Sequence, residues 1–176
     1  MPVLAVVSVF TGLIIILKWS LVKRKLYDFR LRRAIKKLGK KVLRNVAVSD
    51  GLDGLVYVDY LVLTPESILL VYIRRYQGVI FAGDNIDFWT QVIDRGSFKF
   101  DNPLVRMDED IISIRTLLSG SKVGGLMVFT DESEFPKGRP DRIISLSDLR
   151  KKACNKSDLV PDKLQEDWDR LVQAIG

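Results

Sequence analysis

Residues 56–78 constrain this chain more than any other stretch. Val56-Tyr57-Val58-Asp59-Tyr60-Leu61-Val62-Leu63 is apolar at odd and even positions alike, the pattern of a strand covered on both faces. Thr64-Pro65-Glu66 marks a turn, and Ser67-Ile68-Leu69-Leu70-Val71-Tyr72-Ile73-Arg74 repeats the pattern as a second strand. Two charges interrupt the pair, Asp59 and Arg74. An isolated charge inside a sheet costs several kcal/mol in effect, so each needs a partner. By strand parity Tyr72, Arg74 and Tyr76 share one face, and Asp59 shares a face with Tyr57 and Leu61.

The surrounding sequence fills in an α/β domain with a mixed central sheet. Residues 42–48 read as an edge strand, and 78–81 as a continuation of the sheet beyond the central pair. Residues 86–92 and 96–100 form a hairpin. Asn102-Pro103 opens a helix, Asn as the cap and Pro at the first position. Leu104, Met107, Ile111, Ile114, Leu117 and Leu118 make its single apolar stripe, expected to pack on the sheet. Residues 123–130 add a buried strand and Ile143-Ile144 a short one. Ser147 is expected to cap a short helix, and Leu164, Trp168, Leu171, Val172 and Ile175 to form the inward face of the last one.

The first 44 residues have a different character. Residues 3–22 are apolar except for Ser8, Thr11, Lys18 and Ser20, and about 20 helical residues reach across the ~30 Å hydrocarbon core. No Lys or Arg precedes the run and no Ala-x-Ala follows it, which favours a retained anchor over a cleaved signal. Lys23-Arg24-Lys25 then predicts an N-terminus facing out and the domain in the cytoplasm. From Tyr27 the period becomes helical: Tyr27, Leu31, Ala34, Ile35 and Leu38 form a stripe opposite Arg32, Arg33, Lys36, Lys37 and Lys40, and Gly39 ends it. The expected organisation is thus a transmembrane anchor over 1–22, a basic juxtamembrane helix over 23–41 and an α/β domain with C-terminal helices over 42–176. Residues 18–44 carry 12 Lys/Arg against one Asp, a balance of +11, whereas the chain from Asn45 onward has 16 basic and 21 acidic residues. Such a collar suits an anionic lipid surface, or nucleic acid.

With no histidine in 176 residues, Ser-His-Asp and Cys-His catalysis, His-dependent nucleases and His-containing zinc sites are excluded. One cysteine, Cys154, allows no internal disulfide.

Several short runs together carry a resemblance. Tyr57-Val58-Asp59, Tyr72-Ile73-Arg74-Arg75-Tyr76-Gln77-Gly78, Trp89-Thr90-Gln91 and Phe100-Asp101-Asn102-Pro103-Leu104 follow one another over roughly residues 25–118. In this order they resemble the nuclease-related domain (NERD) family, whose fold is restriction-endonuclease-like. The family pattern is Gln-x-Asp, then Glu-x-Lys-x-Tyr-x-Gly, Trp-x-Gln and Phe-x-Asn-Pro. The resemblance implies that Asp59 is the surviving catalytic carboxylate, that Tyr72 stands for the family Glu, and that Arg74 stands for its Lys. Asp28 matches an acidic residue on the family's first helix. Arg106 and Asp110 occupy positions where the family has Gln and His.

Active members of this fold hold Mg²⁺ or Mn²⁺ on carboxylates, with a Lys to orient or activate water. A phenol is a poor ligand for a hard cation, and a guanidinium does not act as a base. The leading reading is therefore a catalytically degenerate domain that works without a cofactor, by binding nucleic acid or a protein. Arg74 would then pair with Asp59 within roughly 4 Å, in a pocket lined by Tyr57 and Tyr72. The alternative is a tethered metal-dependent nuclease, with Asp59 as metal ligand in an open cleft and Asp28, Glu66, Asp84 or Asp87 as the further carboxylate. In either reading Lys23, Arg24, Lys25, Arg32, Arg33, Lys36, Lys37, Lys40 and Arg75 are the candidate contacts to nucleic acid or lipid. A third reading leaves only a scaffold whose collar grips lipid.

Overall fold

Apolar alternation and its failures explain the sheets. The computed structural model of the protein describes residues 19, 21–49, 54–152 and 158–175. Its element order is a helix over residues 21–35 (α1), β1 (Lys41–Ser49), β2 (Leu55–Leu63), β3 (Ile68–Arg74), β4 (Gly78–Phe81), β5 (Phe88–Ile93), β6 (Gly96–Asp101), α2 (Pro103–Thr116), β7 (Val123–Phe129), β8 (Ser133–Glu134), β9 (Ile143–Ser145), α3 (Leu146–Lys151) and α4 (Asp162–Gln173). The chain divides into two compact units between Ala34 and Ile35.

In the larger unit, the first sheet has the order β1-β2-β3-β7-β9. The β2 strand runs antiparallel to both of its neighbours, β1 and β3, while β3, β7 and β9 are parallel, so the sheet is mixed and β3 is its central strand. The Thr64–Ser67 turn between β2 and β3 is tied by its own side chain. The Thr64 backbone N–H and hydroxyl both donate to the Ser67 carbonyl, at 2.9 and 2.8 Å, and the hydroxyl accepts from the Ser67 N–H at 2.9 Å.

The β4 strand does not continue this sheet, contrary to the sequence expectation. It opens a second, four-stranded sheet of order β6-β5-β4-β8. The redirection happens at Gly78, whose φ of +79° is left-handed; a Cβ there would stand 2.3 Å from the Val92 carbonyl oxygen, so only glycine fits. Aromatic rings fill the space beside this bend. Tyr76 stacks on Phe100 at 4.8 Å and on Phe129 at 5.7 Å, and Trp89, fully buried, packs against both phenylalanines. Trp89 donates its indole N–H to the Gly83 carbonyl at 2.9 Å, and the Gln91 amide donates to the Gln77 carbonyl at 2.8 Å.

The α2 helix starts where Asn102 accepts the Leu104 N–H at 3.0 Å. The same side chain is 3 % exposed and donates its amide to the carbonyls of Ile86 (2.9 Å) and Asp84 (3.2 Å), which fixes the hairpin's entry loop to the helix start. Leu104, Met107, Ile111 and Ile114 are buried as their spacing requires. They lie against β7, where a Cβ on Gly125 would meet the Met107 sulfur at 2.6 Å. Burying each such side chain contributes about 1.5–3 kcal/mol. Ser145, not Ser147, caps α3, accepting the Asp148 N–H at 3.2 Å. Leu164, Trp168 and Leu171 face inward from α4, whereas Val172 is exposed.

The expectation for the N-terminal region needs correction. Among the described residues no helix is long and apolar enough to cross a membrane. The described part of α1 carries Lys23, Arg24, Lys25, Arg30, Arg32 and Arg33 on exposed positions, so it does not extend an apolar span. Most of the expected span, residues 1–18 and Ser20, lies outside the described residues. The transmembrane helix therefore does not form part of the fold as described. What α1 does show is the sequence's stripe: Leu31, Ala34 and Ile35 are buried, followed by buried Leu38, with Arg32, Arg33, Lys36 and Lys37 exposed.

Candidate functional site

Asp59 sits where β2 and β3 part. Their ladder covers Tyr60↔Val71 to Leu63↔Ile68 and goes no further toward the start of β2. The next N–H on β3, that of Ile73, would then lack a strand partner, and the Asp59 carboxylate takes it at 2.7 Å. A side chain replaces a backbone carbonyl at the point of divergence. The parting also opens the sheet. From Tyr60 to Leu63 the β2 strand is buried on both faces, but Tyr57 is 67 % exposed and Asp59 half-buried. The double-sided burial expected over the whole run thus holds only for its second half.

The opening is a cavity of about 360 Å³ lined by Asn45, Val46, Tyr57, Val58, Asp59, Tyr72 and Arg74. Arg74 Nη1 lies 3.7 Å from Asp59 Oδ2 and donates to the carbonyl of Ile73 at 3.1 Å. The guanidinium also stands 5.4 Å from the centre of the Tyr72 ring, a cation–π distance. The two charged side chains retain 31 % and 40 % of their exposure, so this ion pair is half in water rather than buried.

Behind the cavity floor runs a second, drier set of contacts. Tyr72 is 4 % exposed and donates its hydroxyl to Asp110 Oδ2 on α2 at 2.7 Å. Asp110 is itself 4 % exposed, and Arg106 Nε approaches its other oxygen at 3.2 Å. Burial, then the hydrogen bond and charge of Asp110, push the Tyr72 phenol above its ordinary pKa, so it stays neutral and protonated. Asp110 was not among the carboxylates singled out as metal ligands from the sequence. Its signal was legible all the same: it falls between Met107 and Ile111 in the buried stripe of α2, where a charge requires a partner.

The other sequence candidates are elsewhere. Glu66 is exposed in the β2–β3 turn, and Asp84 and Asp87 are exposed before β5. Asp28 is half-buried on α1, beside Lys25, Phe29 and Arg32 around a shallow depression. Lys23, Arg24, Lys25, Arg32 and Arg33 are exposed on the same helix, and Lys36, Lys37, Lys40 and Arg75 are exposed in the larger unit.

These donors do not fit a hard divalent cation. Among the described residues lining the cavity Asp59 supplies the one carboxylate, and it is engaged by the Ile73 N–H and by Arg74. Both oxygens of Asp110 are held, by Tyr72 and Arg106. Among the described residues no group of three or more His, Cys, Asp or Glu is placed to hold a metal ion.

A family model described as "Nuclease-related domain" matches residues 21–130, well over half of the chain. An uncharacterized protein of Bacillus anthracis is 29 % identical over 104 residues, which are 57 % of this chain and 48 % of that protein. The chain thus spans about half the length of this curated relative. No solved structure matches it.

Proposed function

The chain belongs to the nuclease-related domain family, and from that premise we propose that it binds nucleic acid on the face of Asp59 and Arg74 without cleaving it. The observation that carries this reading is the set of contacts that Asp59 makes. Its carboxylate caps the Ile73 N–H and faces a guanidinium, and both engagements compete with a metal for the same oxygens. Among the described residues, the side chains around it supply neither a second ligand nor a base. Tyr72 keeps its proton because it is buried against Asp110. Arg74 offers a guanidinium, which does not act as a general base. What remains on the face is recognition chemistry: a guanidinium fork, the side chain best shaped for a phosphate, held half-exposed at the mouth of a cavity.

The test is a cleavage and binding assay on labelled single- and double-stranded DNA and RNA, using the full chain with Mg²⁺ or Mn²⁺ and Asp59→Ala in parallel. The expected result is salt-sensitive binding with the substrate left intact in both proteins. Metal-dependent cleavage that disappears in Asp59→Ala would overturn the proposal and reinstate a hydrolytic site.

A further inference from the structure

Resting on the nucleic-acid reading, we infer that the site takes an unpaired nucleotide of a single strand, its base stacked on Tyr57 and its phosphate held by Arg74. The argument starts from the exposure of Tyr57, 67 % on a strand whose other half is buried on both faces. Its register partner on β1 is Ala47, so the cross-strand neighbour offers one methyl group and leaves the ring uncovered. Among the described residues Tyr57 stacks on no other ring. A lone exposed aromatic needs no explanation on its own. This one lines the same cavity as Arg74, two residues along the strand from Asp59, a separation of about 6.6 Å.

Arg74 is prepared for an anion in a complementary way. Among the described residues, its hydrogen bond to Ile73 and its approach to Asp59 both use Nη1, and a guanidinium carries further N–H donors on Nη2 and Nε for an anion. The Tyr72 ring beneath it and the Ile73 carbonyl fix the plane of the fork. Asn45, whose side chain carries an amide, also lines the cavity; its backbone is left-handed, with φ of 51°, a conformation asparagine tolerates better than most residues. Aromatic face, guanidinium fork and amide are the three groups that a base, its phosphate and a base edge would meet.

Duplexes do not present these groups together. The faces of a paired base are covered by its neighbours, so stacking on a protein ring requires a base already unstacked or single-stranded. Stacking does not distinguish the bases, since each has a π-face, so the inference is for single strands without strong sequence preference. DNA and RNA share this chemistry.

Fluorescence anisotropy of the full chain with labelled 12-mer single strands of DNA and of RNA, and with the corresponding duplexes, tests the assignment. EDTA in every sample removes metal from consideration. Both or one of the single strands should bind at least tenfold more tightly than its duplex, and the DNA and RNA arms identify the source. Tyr57→Ala should weaken single-strand binding by roughly 5- to 150-fold, the measured range for losing one stacked base. Tyr57→Phe, which keeps the ring, should recover most of that loss, and Arg74→Gln should lower the salt dependence by about one phosphate contact. Phe98→Ala, at a ring of comparable exposure (56 %) on the second sheet, should change nothing. Equal affinity for single strands and duplexes, with Tyr57→Ala neutral, overturns this assignment and leaves the proposed function standing. No binding to any of the four overturns both.

Discussion

Replacing either member of the Asp59–Arg74 pair should destabilise the protein unequally, with Asp59→Ala the more damaging. Arg74 Nη1 is 3.7 Å from the carboxylate, beyond hydrogen-bond reach, and both side chains are about one-third exposed or more. An ion pair of that kind contributes about 0.2–1 kcal/mol. The bond to the Ile73 carbonyl adds about 0.5–1.5 kcal/mol and the contact with the Tyr72 ring about 0.5–1 kcal/mol. Against these stands the side-chain entropy of ordering an arginine, up to about 2 kcal/mol. The net loss for Arg74→Ala is about 1 kcal/mol, well short of the ~3–5 kcal/mol that breaking a fully buried pair would cost. Asp59 does something Arg74 does not: it satisfies the Ile73 N–H at 2.7 Å where the β2–β3 ladder ends. A hydrogen bond to a charged acceptor contributes about 1.5–3 kcal/mol, so Asp59→Ala should lose about 2 kcal/mol. Asp59→Asn keeps an oxygen for that N–H and should fall between the two. Urea unfolding followed by far-UV circular dichroism gives the three values from shifts in midpoint at a common slope. An Arg74→Ala loss of 3 kcal/mol or more, or one exceeding that of Asp59→Ala, would refute the reasoning.

Three further outcomes follow from the geometry. Tyr72→Phe should lose about 1.5–3 kcal/mol by leaving Asp110 Oδ2 without its donor. Because the phenol's folded pKa is raised above 10.0, its stabilisation is complete below that pH and fades above it. The wild-type advantage over Tyr72→Phe in melting temperature should therefore shrink as the pH climbs past 10; an advantage that grows would contradict the assignment. Asn102→Ala removes the α2 cap and three part-buried amide hydrogen bonds, to Gly83, Asp84 and Ile86, so a loss of about 2–3 kcal/mol is expected in thermal unfolding, and a change under 0.5 kcal/mol would show the cap to be dispensable. Asp148 has a carboxyl pKa lowered from 3.8 to about 2, by the Ser145 hydroxyl first and by Arg139. The stability it supplies is present above 3.8 and lost as the pH falls toward 2. Carboxyl NMR titration of Ser145→Ala should show its midpoint moving back up, and no movement would exclude the hydroxyl as the cause.

The sequence by itself determined the elements and much of their order. Two-sided apolar runs produced β2 and β3 in the middle of a mixed sheet, Asn102-Pro103 placed the start of α2, and 3.6-residue spacing identified its buried face. These are local signals, carried by neighbours within a turn or a strand. Tyr76, Trp89 and Phe100 were legible as family scaffold, and the structure gives the reason: their rings pack together beside the bend at Gly78. The sequence also marked Asp59 and Arg74 as charges in need of partners. Tertiary structure alone decided how exposed they are, because that depends on where β2 leaves β3, and no local pattern encodes the end of a ladder. It alone decided that β4 begins a second sheet. It also joined Tyr72 to Asp110, 38 residues apart, through the packing of α2 on β7. A hydrogen bond between a strand and a helix across that separation is a consequence of the assembled layers, since neither residue's neighbours in the chain specify what lies above it.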